Sequence, residues 1–306
     1  MEKLKQTKYD PAIDLIRIIS ILAVIMIHTS TRTLEASHFQ LTKTPWTLFL
    51  NQISRFAVPV FFMLSGFVLE LNFQFHLNYL NYLKKRITRI FVPFVFWSGI
   101  YYFIVYRQHT EGFFQSVVSG DASYQLYFIP SLLIFYFFFP LINKYYSLIF
   151  SKLIIIPLGI LEIYLLYFDY SVKPLNIYSP IKIVLLNYFI FILGVFCGRH
   201  KTKIILEINK WRYLLLSLTF LVGGFVFYEG FDGYMKTKNY LTFYSQWRVS
   251  VLIYSILISG VLYNLFQRNL PKRNFIKKLS SLTFFIFFIH VIVLELIWSF
   301  FGIPIF

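Results

Sequence analysis

The sequence predicts an all-α protein: a polytopic bundle of membrane-spanning helices whose N-terminus faces the cytoplasm. Three observations carry this reading. The 306 residues are 58% hydrophobic and only 14% charged, with positive mean hydropathy, which is more apolar surface than a soluble domain of this length has use for. Long apolar runs recur along the whole chain, each near the length needed to cross a hydrocarbon core of about 30 Å. Basic residues collect in alternate loops between those runs, the bias that sets membrane orientation.

Nine runs can be counted, with cores at 12–31, 48–71, 90–106, 124–143, 153–169, 181–198, 213–229, 247–266 and 280–301. No internal repeat, low-complexity segment or soluble domain interrupts them, so residues 1–306 are expected to form one integral-membrane domain. Prolines within or near several runs (Pro59, Pro93, Pro130, Pro140, Pro157) are compatible with bundled membrane helices, where neighbours satisfy the freed backbone groups. With the N-terminus inside, Lys3, Lys5, Lys8, the 84–89 cluster and the basic residues of 199–212 and 268–278 are cytoplasmic. Loops assigned to the outside, where Arg32, Arg55, Lys182 and Arg248 fall, then hold about half as many basic residues. The first run follows a lysine cluster as a signal peptide does, but it is too long, carries Asp14 and Arg17, and lacks a small-residue cleavage site. It is expected to be a retained span, and the protein to cross the cell membrane many times.

The net charge of +16 does not point to nucleic acid. The charges are scattered as topology signals and as sites for anionic ligands or lipids. Aromatic residues, at 22%, suit lipid-facing and interfacial positions. Cys197 is the single cysteine, so neither a disulfide nor a cysteine metal site is possible, and nothing resembles a histidine-rich metal motif such as H-E-x-x-H.

The first run is the most informative. Asp14, Arg17 and His28 fall within roughly 60° of one another on a helix, forming one polar stripe down an apolar segment. Ionisable groups in such a segment cost about 2.5–3.5 kcal/mol or more and by default mark a function. Arg17 and His28 are separated by about 16 Å of helix, roughly half a hydrocarbon core. One reading makes His28 a general base near the membrane midplane, with Asp14 and Arg17 binding an anion at the helix entrance. The plain alternative is a neutralising Asp14–Arg17 pair and a packing histidine.

Before the third run, Arg86 and Arg89 stand at i and i+3, able to present two guanidinium groups to one phosphate-bearing ligand, or serving only as a positive-inside signal. In the second run, Ser65 and Gly66 are small enough for close helix packing, and the absence of a G-x-S-x-G turn argues against a serine nucleophile. His38, His76, His109 and His200 fall in loops and are expected to be solvated. His290 lies in the last run, five residues before Glu295, either as a second polar group in the core or as a packing contact.

In order, these motifs resemble the acyltransferase family 3 integral-membrane proteins. The features are Asp14 with Arg17-x10-His28, Phe61-Phe62 with Ser65-Gly66-Phe67, and Arg86-x-x-Arg89 with Pro93. Then come Tyr127-Phe128-Ile129-Pro130, the glycines Gly194 and Gly198, and an aromatic stretch from Phe284 to His290. The family typically has ten helices with the C-terminus inside, against the nine runs here, so about nine to ten spans are expected. The resemblance implies an O-acyltransferase, dependent on acyl-CoA and most commonly acetyl-CoA as donor substrate, acting on a hydroxyl of an extracytoplasmic or lipid-linked glycan in the cell envelope. It places Arg86 and Arg89 on the coenzyme phosphates and Arg17 on the donor or on developing charge. Asp14 orients Arg17, and His28 is the base or relay. No metal is called for. The implied partners are acyl-CoA, the hydroxyl acceptor and the lipid bilayer. A transporter or export component of the same family is the rival reading, and a structural subunit of a glycan-synthesis complex a third.

Overall fold

A computed structural model describes residues 10–37, 45–73, 79–107, 112–268 and 273–300, and among these every regular element is a helix. Lys3, Lys5 and Lys8, on which the cytoplasmic N-terminus rests, lie outside the described residues, as do His38, His76 and His109. The long helices are α1 (Pro11–Ala36), α2 (Pro45–Asn72), α3 (Tyr79–Val105), α4 (Phe128–Lys144), α5 (Lys152–Val172), α6 (Ser179–Leu185 with Tyr188–Arg199), α7 (Arg212–Thr237), α8 (Val249–Arg268) and α9 (Arg273–Phe300).

By length and composition, seven of the described helices are able to cross a membrane, or eight when the two halves of α6, bent by 53°, count as one span. The expected nine to ten is not reached on that measure. The reason lies in α4, an apolar helix of 17 residues, about 25 Å long and so just short of a 30 Å core.

Local chemistry explains the starts and the breaks. Asp10 caps α1 through Oδ1, which accepts from the Ala12 N–H at 3.0 Å, and Pro11 opens the helix, the arrangement that satisfies orphan N–H groups at a helix start. Helix α2 is interrupted between Ile53 and Ala57. Pro59 lacks an N–H and crowds the carbonyl four residues back, that of Arg55, so the break falls there. In α3 the same effect of Pro93 falls on Arg89, where residues Ile87–Phe91 form a wider π-helical turn and the Val92 N–H reaches the Ile87 carbonyl.

Helices α1 and α2 form the middle of the bundle: 56% and 72% of their apolar spans are buried, against 11% for α7 and 17% for α5. The outer helices present large apolar side chains such as Phe220, Leu221 and Ile160. Contiguous exposure of this kind is a lipid face rather than a water face. The most extensive helix pairing joins α2 to the second half of α6. A Cβ at Gly66 would stand 2.2 Å from the Phe191 carbonyl oxygen, and one at Gly194 2.0 Å from that of Met63. The small-residue crossing expected at Gly66 is therefore present, with Gly194 as its counterpart.

Helix α1 packs along α9, and the two run parallel. Arg17 meets Ser280, His28 meets His290, and Arg32 meets Glu295 at 3.7 Å. Arg32, Arg55 and Arg248, assigned from the sequence to outer loops, are buried in the bundle. His200, expected to be solvated, packs on Phe196 and Tyr146.

Candidate functional site

Two of the cavities beside α1 hold its polar stripe, the first of them at the α1–α9 seam. The first, of about 260 Å³, is near the N-terminal third of α1 and is lined by Arg17, Ser65, Arg89, Tyr136, Ser280 and Thr283 among phenylalanines. Arg17 is held in place: its Nη1 donates to Asp14 Oδ1 at 2.8 Å and to Ser280 Oγ at 2.9 Å, and Ser280 donates to the same Asp14 oxygen at 2.6 Å. Asp14 is buried and Arg17 is partly open to the cavity. The carboxylate therefore fixes the guanidinium from behind and leaves its remaining N–H groups for the cavity.

Arg86 and Arg89 are not presented together. The π-helical turn at Ile87–Phe91 changes the angular offset between them, so Arg89 lines the cavity. Arg86 lies over the rings of Tyr82 and Tyr136, 5.4 Å from each centroid, with its Nε buried and without a hydrogen-bond partner. Tyr136 is shared, since it carries Arg86 on one side and lines the cavity itself. Ser65, read from the sequence as packing, faces this cavity, while its neighbour Gly66 makes the helix crossing.

The second cavity, of about 630 Å³, is near the C-terminal third of α1. Its wall holds His28, Thr31, Arg55, Tyr124, Tyr127, Asp169, Lys182, Gln246 and Trp247. The His28 ring sits 4.8 Å from that of Tyr124 and 5.3 Å from that of His290. Of the two possibilities the sequence left for His290, the structure selects the polar group in the core. Its Nδ1 faces the carbonyl oxygens of Ile286 and Phe287 at 3.1 and 2.9 Å. Carbonyls only accept, so Nδ1 carries the proton. Nε2 is then an unprotonated acceptor, buried and without a hydrogen-bond partner. Tyr101 fixes α9 at this level by donating to the Phe288 carbonyl at 2.6 Å.

The segment of α1 around His28 is held by Asn51, whose Nδ2 donates to Ser30 Oγ at 2.9 Å and to Thr31 Oγ1 at 3.0 Å. Asn51 Oδ1 in turn accepts from Arg55 Nε at 3.2 Å and from Arg55 Nη2, and Arg55 Nη1 donates to the Tyr244 carbonyl at 2.6 Å. On the far wall, Tyr127 accepts a hydrogen bond from Gln246 Nε2 at 2.5 Å.

A run of phenylalanine rings leads from the wall of the first cavity toward His290. Phe61, Phe128 and Phe287 line the first one, with centroids 6.1 Å (Phe61–Phe128) and 5.8 Å (Phe128–Phe287) apart, and Phe287 lies 6.2 Å from His290. The sequence motifs thus converge: Phe61, Ser65, Phe128 and Phe287 come from three helices to one place. What sequence reasoning missed is Ser280, Tyr124, Arg55 and the apposition of the two histidines. An i, i+3 count sees neighbours on one helix, and these contacts cross between helices. Among the described residues, no group of three or more His, Cys, Asp or Glu side chains is placed to hold a metal ion.

Comparison with known proteins places the chain in a family. The export protein of Staphylococcus epidermidis named as probable for poly-beta-1,6-N-acetyl-D-glucosamine is 26% identical over 297 residues, covering 92% of this chain and 80% of that protein. The protein of the same name from Staphylococcus aureus strain MSSA476 is 25% identical over 312 residues, covering 94% and 83%. No solved structure matches. The family described as "Acyltransferase domain" matches residues 10–306, which is nearly the whole chain and includes every motif above. This multi-pass membrane protein therefore belongs to acyltransferase family 3.

Proposed function

We propose that the protein is a membrane O-acyltransferase that moves an acyl group, acetyl foremost, from acyl-coenzyme A to a hydroxyl of an extracytoplasmic or lipid-linked glycan. The observation that carries this is the pair of cavities on one helix face, one lined by arginines and one by histidine, about 16 Å apart measured along α1 from Arg17 to His28. Charge-assisted hydrogen bonds from Arg17 and Arg89 suit the coenzyme's phosphates, with Arg86 close by. The aromatic and polar wall of the larger cavity suits a polyhydroxylated acceptor, within the size range of ordinary ligand sites. The acyl thioester reaches His28 once the rings of Phe61, Phe128 and Phe287 swing aside.

In the transfer, His28 takes the proton of the acceptor hydroxyl as its oxygen attacks the thioester carbonyl. The tetrahedral intermediate collapses with cleavage of the C–S bond, and the thiolate leaves as coenzyme A thiol with the proton His28 carried. His290 positions the His28 ring through the contact between the two rings. Asp14 and Ser280 keep Arg17 in place for the donor.

Arg89→Ala is expected to raise the dissociation constant for coenzyme A roughly tenfold, the loss of one charged hydrogen bond of about 1.5–3 kcal/mol. Arg86→Ala is expected to cost less, because its guanidinium lies on tyrosine rings. Calorimetric titration of the purified variants measures both, and an unchanged constant for the double variant returns the pair to a topology signal.

The relatives' names favour a second reading, passage of a glycan across the membrane. Coenzyme A binding by the purified protein separates the two, since an exporter has no use for it.

The proposed orientation is N-terminus inside with nine crossings. Successive helices alternate in direction: Arg55, Asp169, Lys182 and the Arg248 end of α8 lie at the His28 end, while Arg89, Arg199 and Tyr263 lie at the Arg17 end. Reporter fusions after Gln40, Gln115 and Tyr240 should report outside, and fusions after Leu80, Leu148, Ile205 and Lys272 inside. An outside signal at Leu80 would overturn this map.

A further inference from the structure

Arg55 is the second large charge of the His28 cavity, and nothing in the transfer chemistry above uses it. It sits at the break in α2, 4% exposed, in the cavity wall. A buried guanidinium is expected to face a carboxylate, because an uncompensated charge in a membrane interior is costly. Arg55 has none. Its Nε and Nη2 donate to Asn51 Oδ1 and its Nη1 to the Tyr244 carbonyl, all neutral acceptors. A guanidinium has five N–H donors, so two remain for the cavity.

The acids nearby are committed elsewhere. Asp169, the carboxylate of this cavity wall, is held by Lys182 at 2.6 Å and accepts from the Leu175 N–H at 2.7 Å. Glu229 lies 3.7 Å from Arg248 and accepts from Ser250. Among the described residues, no carboxylate stands within ion-pair distance of Arg55. With Lys182 and Asp169 cancelling, the Arg55 guanidinium is the charge of the cavity wall that no carboxylate among the described residues offsets.

We propose that this charge is completed by the ligand: the acceptor carries an oxyanion, a phosphate or a carboxylate, that docks on Arg55 and presents a neighbouring hydroxyl to His28. The inference rests on the acceptor entering this cavity, as in the function proposed above. Its chemical content is narrower, since a neutral glycan leaves Arg55 uncompensated and an anionic one supplies the missing partner through the bidentate contact that arginine favours. Arg55 sits at the break in α2, held by Asn51 four residues before it and by the Tyr244 carbonyl.

The test uses the purified full chain in detergent with three probes: sn-glycerol 3-phosphate, galacturonate and methyl glucoside. Binding is read as a rise in melting temperature, in an Arg89→Ala background that weakens the first cavity, and the part of the rise that depends on Arg55 is assigned to the second. At least one anion is expected to bind, and more tightly than methyl glucoside. Arg55→Gln is expected to weaken that anion roughly tenfold or more, and Arg55→Lys, which keeps the charge, to weaken it less. Preference for the phosphate identifies a phosphate-bearing acceptor, and preference for galacturonate an acidic sugar. The proposal is overturned if neither anion binds, if methyl glucoside binds as tightly as both, or if Arg55→Gln leaves the anion affinity unchanged. The first two results need no Arg55 variant, so they stand even where Arg55→Gln does not fold. Coenzyme A binding by the wild-type chain is measured separately. Its absence, together with an Arg55-dependent anion site, removes the acyltransferase reading and leaves the anion site as that of an exported glycan.

Discussion

His28→Ala is expected to lower acyl transfer by about 10²–10⁴-fold, the usual cost of losing a general base, while coenzyme A binding and membrane insertion stay as they are. The structural reason is separation. His28 faces the larger cavity and touches Tyr124 and His290, and the arginines proposed to hold the donor line a different cavity. His290→Ala is expected to slow transfer as well, because the His290 ring packs against that of His28, with centroids 5.3 Å apart. The assay measures turnover, coenzyme A affinity and melting temperature on the same purified preparations. Turnover that survives in His28→Ala alongside a lowered melting temperature would make His28 a packing residue and remove the mechanism. A dead His290→Ala with a normal melting temperature and normal coenzyme affinity would place both imidazoles in the reaction.

Gly194→Ala should cost the fold more than any other single methyl group. The added Cβ stands 2.0 Å from the Met63 carbonyl oxygen and 2.8 Å from its carbon, so backbone, not a flexible side chain, has to move. Overpacking typically costs about 1–3 kcal/mol, and here both helices belong to the central α2–α6 crossing, so the upper end or beyond is expected. Gly66→Ala meets the same crossing from the other side, at 2.2 Å from the Phe191 carbonyl oxygen. The control is Gly224→Ala in α7, where an added Cβ meets nothing within 4 Å and the reduced freedom of the unfolded chain makes the change neutral or stabilising. Melting curves and the yield of monodisperse protein read all three. A Gly194→Ala protein that melts with the wild type would mean that the crossing is looser than this geometry requires.

The sequence determined the class of the protein and one face of its site. Long apolar runs have no folded alternative in a bilayer to closed hydrogen-bonded helices, so the all-α fold follows from composition and run length alone. The stripe of Asp14, Arg17 and His28 is equally local, since residues on one helix keep their angular relation wherever the helix is placed. The tertiary structure decided which groups meet that stripe. Ser280, His290 and Glu295 are more than 250 residues away along the chain, and only the parallel packing of α9 on α1 brings them opposite. It also decided where periodicity fails. Pro93 imposes a wider turn at Arg89 and separates it from Arg86, which an ideal i, i+3 spacing had paired. Pro59 breaks α2 at Arg55, and a charge counted in an outer loop lies in a cavity wall with no carboxylate within ion-pair distance among the described residues. Helical periodicity assumes an unbroken helix, and a proline removes a hydrogen bond and displaces the carbonyl four residues before it; the resulting register is set by the helices packed around the break.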